Sequence, residues 1–143
     1  MTDREPQASD SLYTSKAAMN IYAYEPERAL TIIDSALLLG NVEFNHAQLM
    51  RAKIFSQSLE ENQLDSAQEI LIGLLNSDYT EDKLMREEVF DMLLDIARNR
   101  QQFELQLHWG TRKVECSRDL GRETEALRTE ADLAFALAQL GEE

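Results

Sequence analysis

The chain has one cysteine, Cys116, so it forms no internal disulfide and its redox compartment stays open. Two prolines and five glycines are too few for a sheet protein that must turn every 8–12 residues. Lys and Arg number 14 against 27 Asp and Glu, leaving a net charge of −13. The densest basic stretch, Arg112 to Arg118, is interleaved with Glu115, so neither a phosphate backbone nor an anionic membrane surface is an expected partner. Long apolar runs are missing as well. The longest lies around Ala36-Leu37-Leu38-Leu39 and stops at Gly40, far short of a membrane span. The first ten residues carry no apolar signal segment, which predicts a cytoplasmic protein if the chain is complete as given, and an extracytoplasmic (periplasmic) one if an upstream signal was removed.

What remains is helical. Hydrophobic residues make up 43% and charged residues 29% of 143, enough apolar surface for a folded core. Periodicity and punctuation predict seven helices. The first runs from Ser9 to Tyr24. Pro26 opens a second that ends at Gly40, and a third runs from Val42 to Leu59. Glu60-Glu61-Asn62-Gln63 reads as a turn before a fourth helix, Leu64 to Leu75. Ser77 or Thr80 suits the cap of the fifth, which reaches Asn99. The sixth spans Gln102 to Leu120 with Gly121 as its left-handed cap, and the seventh spans Arg122 to Leu140.

The helices repeat. Ala29, Ile33 and Ala36 form a small-large-small set at spacings of four and three, and Ala67, Leu71 and Leu74 occupy the same spacing. Small side chains let two helices of a hairpin cross closely while the larger one fills the gap. Ala17 and Ala52 supply the matching notch on the preceding helices. The third pair is divergent, with Phe90, Leu93, Leu94 and Ala97 on its first helix but Gln106, Gly110 and Lys113 on its second. This pattern resembles the tetratricopeptide (TPR) repeat. The resemblance implies an all-α, right-handed solenoid of about three and a half hairpins. It forms one domain over 1–143, with repeats at about 9–40, 42–76 and 80–120 and a terminal helix at 122–140.

A narrower resemblance rests on Glu25-Pro26-Glu27-Arg28-Ala29-Leu30-Thr31-Ile32-Ile33-Asp34-Ser35-Ala36, on Leu107-His108-Trp109, and on Glu123-Thr124-Glu125-Ala126-Leu127-Arg128-Thr129-Glu130-Ala131. These stretches are similar to the N-terminal helical-repeat segment of bacterial two-component sensor histidine kinases. The resemblance implies a sensory or relay module for a kinase core elsewhere. Neither His46 nor His108 sits in a phospho-acceptor context, and no Gly-rich nucleotide loop is present.

Catalytic chemistry needs convergent titratable groups. Glu104 and His108 share a helix face at i, i+4, but one such pair falls short of a metal's ligand count, so no metal is expected. Cys116 lies toward the negative end of its helix, which disfavours a thiolate and predicts a packed thiol. Trp109, on the same row, reads as a core aromatic. Asp91 with Asp95, and Glu87-Glu88 one turn earlier, read as carboxylates that set a local negative potential rather than as an acid–base pair. Neither a cofactor nor an enzyme is expected.

The TPR resemblance places a peptide groove on the first helix of each pair. Carried over by position, the groove has Thr14, Ala18, Ile21 and Tyr22 in the first repeat. The second supplies His46, Leu49, Lys53, Ser56 and Gln57, and the third supplies Glu88, Asp91, Asp95, Arg98 and Asn99. The residues that clamp a C-terminal carboxylate in one TPR subclass fall on Thr14, Ala18, Met50, Glu88 and Met92, none of them basic, so that function is not implied. The expectation is a non-catalytic module that binds a protein or a basic peptide segment. The seventh helix, with Leu127, Ala131, Leu133, Ala134, Leu137 and Leu140, is apolar over a wide arc. That arc leaves a structural homodimer scaffold, without a ligand, as the alternative.

Overall fold

The computed structural model describes residues 25–141, and over these it is all-helical, with no strand. Six α-helices follow in order: α1 Pro26–Leu38, α2 Phe44–Ser56, α3 Glu61–Leu75, α4 Lys83–Asn99, α5 Phe103–Asp119 and α6 Glu123–Gly141. The predicted helix over 9–24 lies outside the described residues. The chain divides into two compact units, Met1–Ile70 and Leu71–Glu143, with the boundary inside α3.

In the first unit, Pro26 supplies a helical φ where no N–H is needed, and α1 starts without a side-chain cap. The Glu43 carboxylate accepts from the N–H groups of Asn45 and His46, both at 3.0 Å, and so starts α2. The expected row of Ala29, Ile33 and Ala36 is buried, and it packs with Val42, Ala47, Met50 and Ile54. Arg51 of α2 reaches Asp34 of α1 in an ion pair over this core.

One boundary differs from expectation. Residues 60–63 do not form the turn; Glu61 already opens α3, and Gln57 to Glu60 carry the reversal. Ser58 fixes that reversal, because its hydroxyl accepts from the Glu60 N–H at 3.0 Å.

In the second unit the loop before α4 uses its polar residues differently from the sequence reading. Ser77 accepts from Tyr79 N–H and starts a 3-10 turn, Asp78–Glu81. Thr80 is buried and its hydroxyl donates to the Leu74 carbonyl at 2.9 Å, closing the end of α3. The cap of α4 is Asp82, whose carboxylate accepts from Leu84 N–H at 2.9 Å. Helix α5 packs against both α4 and α6.

Gly121 turns α5 into α6 with φ +75°, and Arg122 N–H reaches back to the Ser117 carbonyl at 2.8 Å. The α4–α5 turn makes the same pattern with Gln101 at φ +56° and Gln102 N–H on the Ala97 carbonyl at 2.9 Å. A side chain therefore sits where glycine would be unstrained.

The last helix buries a narrower stripe than expected. Ala126, Thr129, Leu133 and Ala136 face inward, whereas Leu127 and Leu137 of the expected apolar face are exposed. The reason is proximity. A Cβ placed on Gly110 of α5 would stand 2.9 Å from Leu133 Cγ, so only a glycine lets α6 come this close, and small residues then fill the seam.

Candidate functional site

Along α5, Gln106, Gly110, Lys113 and Ser117 recur at spacings of four, three and four, and all are buried. These are the positions that α1 fills with Ala29, Ile33 and Ala36. A buried polar group must be partnered, and the partners come from the flanking helices. Lys113 Nζ donates to Asp91 Oδ1 of α4 and to Glu125 Oε1 of α6, each at 2.8 Å. Burial pulls the Lys113 pKa down, but the two carboxylates outweigh it and leave the ammonium above its ordinary value. Hydrogen bonding to Lys113 in turn holds Glu125 below the usual glutamate range.

One turn further, Glu87 accepts from Ser117 Oγ at 2.5 Å and from Arg122 Nη1 at 2.5 Å. Glu87 is buried and both its oxygens are bonded, so beyond the expected negative potential it is a structural anion held by α5 and the start of α6. Together with Leu84, Met85 and Glu88, these groups line a cleft of about 410 Å³. Four carboxylates, Glu87, Glu88, Asp91 and Glu125, face two cations there, Lys113 and Arg122. Asp91 keeps 48% of its side-chain surface open despite its bond to Lys113.

At the other end of the same helices, Arg98 donates to Asp95 at 2.9 Å and to Asp132 of α6 at 3.4 Å. Desolvation, followed by the charge of Asp91, raises the Asp95 pKa above the ordinary aspartate value. Arg98 and Asp132 border a second cleft of about 550 Å³, lined also by Phe103, Gln106 and Phe135. The Phe103 and Phe135 rings meet edge to face with centroids 6.4 Å apart.

Of the expected groove residues, Asp91, Asp95 and Arg98 thus come together in the second unit, with Asn99 exposed at the end of α4. His46 and Lys53 lie on α2 and Gln57 is at its C-terminal cap, all in the first unit, and Tyr22 lies outside the described residues. Leu49 is buried. Gln106, Lys113, Glu125 and Asp132 were not among the expected binding residues. The available signal was a lysine at a helix-core position, which demands a carboxylate from a neighbouring helix.

The remaining candidates are accounted for by packing. Cys116 is buried and its thiol donates to the Lys83 carbonyl at 3.3 Å; burial, then the charge of Glu87, pushes its pKa up, away from a reactive thiolate. Trp109 stacks on Phe90 with centroids 6.1 Å apart inside the α4–α5 interface. Glu104 and His108 are exposed, and His108 Nε2 accepts from Arg112 Nε at 3.2 Å. Among the described residues no group of three His, Cys, Asp or Glu side chains is placed to hold a metal ion. No helix among them is long and apolar enough to cross a membrane.

The described residues therefore define an all-α protein of packed helical hairpins with a polar furrow between α4 and α6, floored by α5. Comparison with protein-family models, with curated proteins and with solved structures finds no match to the chain.

Proposed function

We propose that the chain is a non-catalytic binding module whose furrow between α4 and α6 takes a basic protein or peptide segment. The observation that carries this reading is the acidic cleft at Asp91 and Glu125. There the carboxylates outnumber the cations, and a protein of net charge −13 surrounds them. An incoming Lys or Arg finds carboxylates already aligned by Lys113, so little ordering is left for binding to supply. The test is fluorescence anisotropy with an Arg- and Lys-containing peptide and its Glu-substituted counterpart. Binding of the basic peptide alone, weakened about tenfold or more by Asp91→Lys, is the expected result. Equal affinity for both peptides, or none, removes the reading.

The similarity of the quoted stretches to sensor histidine kinases supports a finer proposal, that this module serves the sensory segment of such a kinase. Its check is the reading frame beyond residue 143: a kinase core there is expected, and a different output domain counts against it. A second reading, a dimerisation scaffold, draws on the exposed Leu127, Phe135 and Leu137 of α6. At about 100° per residue, Leu127 and Phe135 share the outward half of α6 while Leu137 lies at its inner edge, which makes no single seam. Light scattering that gives a monomer at all concentrations would dismiss the scaffold.

A further inference from the structure

The two clefts of the second unit lie on one furrow and at one repeat. Asp91 and Arg98 are seven residues apart on α4, Glu125 and Asp132 seven apart on α6, and Lys113 and Gln106 seven apart on the antiparallel α5. Lys113 ties the first level together through Asp91 and Glu125. The Arg98–Asp132 pair spans the second, beside Gln106. Seven helical residues set the levels about 10.5 Å apart.

The levels differ in chemistry. The first has carboxylates in excess. At the second, Arg98 is matched by Asp95 and Asp132, and the wall opposite is the Phe103–Phe135 pair, with Phe135 62% exposed. Gln106 lines this level with only 4% of it exposed. A carboxamide offers one acceptor and two donors, which match the N–H and C=O of a peptide bond.

Resting on the peptide-binding reading above, we infer that the furrow takes an extended segment in a fixed register. A Lys or Arg side chain occupies the acidic level. An uncharged apolar residue three positions away rests on Phe103 and Phe135, with its backbone bonded to Gln106. In the polyproline II form three residues cover about 9 Å and return the side chain to the same face, close to the spacing of the levels, whereas one residue covers only about 3.1 Å and points elsewhere.

The test is an NMR titration of the full chain, which reads weak affinities, with capped seven-residue peptides on a Gly/Ser background. One carries Lys alone, two carry Lys and Leu three apart in either order, and two carry them adjacent in either order. The inference expects one of the three-apart peptides to bind at least fivefold more tightly than the Lys-only and adjacent peptides. It expects Phe135→Ser, at an exposed position, to remove that gain, with the circular dichroism of the variant unchanged. If Lys-only peptides bind and the position of Leu makes no difference, the register is wrong and the binding function stands. If no peptide binds, the functional reading fails and the register with it.

Discussion

Helices α1 and α5 bury the same positions with opposite chemistry. On α1 the row is Ala29, Ile33 and Ala36; on α5 the equivalent spacing holds Gln106, Gly110 and Lys113, and all six are buried. The α1 row needs only apolar neighbours, and any well-shaped apolar surface satisfies it. The α5 row must find a partner for each polar group, so it recruits Asp91 and Glu125 to Lys113. Spacing decides where a side chain is buried, and its chemistry decides what must surround it. In the second unit the result is a charged cleft in place of a dry seam.

The difference can be broken most sharply at Gly110. Gly110→Val forces a branched side chain into Leu133, and a loss of about 3 kcal/mol is expected in urea denaturation followed by Trp109 fluorescence. Adding Leu133→Ala should return part of it. On the apolar side, Ile33→Ala should also cost about 3 kcal/mol, by circular dichroism, with little dependence on pH.

The ionic row should respond asymmetrically. The double change Asp91→Asn with Glu125→Gln strands a buried ammonium and should cost about 2–3 kcal/mol. Lys113→Met leaves behind two carboxylates that are partly open to water, and should cost only about 1–2 kcal/mol.

That second loss carries a pH signature. Glu125 has a lowered folded pKa, so its contribution is whole above the ordinary glutamate range and is lost as pH falls through the lowered value. Lys113 has a raised one, so its contribution is whole below about pH 10.4 and is lost only as pH rises past the raised value. The gap between the natural chain and Lys113→Met should therefore be full from about pH 6 to 10 and should close below about pH 4.3. A gap unchanged at pH 3 would show that Lys113 acts by packing alone. Asp95, raised by desolvation, works the other way and favours the folded state as it protonates. The smallest effect is at the α4–α5 turn: Gln101→Gly removes a left-handed side-chain conformation and should stabilise by about 0.5–1 kcal/mol in thermal denaturation.

Much of the helical framework is legible in the sequence because a period near 3.6 leaves a clear mark. Ala29, Ile33 and Ala36 read as a buried face, and Gly40 and Gly121 as stops, and each has that role. Legibility fails where several residues of like type compete. Ser77, Thr80 and Asp82 are all capping residues within six positions, and local sequence does not rank them; a buried hydroxyl bond to Leu74 takes Thr80 out of the contest. On α6, leucines and alanines are apolar all round. The inward stripe is chosen by how closely Gly110 lets the helix approach, a property of another helix.

The candidate site was partly legible. Asp91, Asp95 and Arg98 stand on one stripe of α4, where the TPR resemblance also places groove positions. The role of Glu87 was not legible, because its partner Arg122 is 35 residues away. Gln106 and Lys113 were visible as departures from the repeat pattern, but their meaning depends on which neighbours reach them.

The account rests on the furrow of the second unit being the surface that receives a partner. Photo-crosslinking of the full chain with a basic peptide bearing a benzophenone, mapped by mass spectrometry, tests this directly. Cross-links concentrated on α4 and α6 around Asp91, Glu125 and Asp132, and lost with Asp91→Lys, are the predicted result. Cross-links that fall mainly on α1 and α2, or that survive the Asp91→Lys change undiminished, would contradict it.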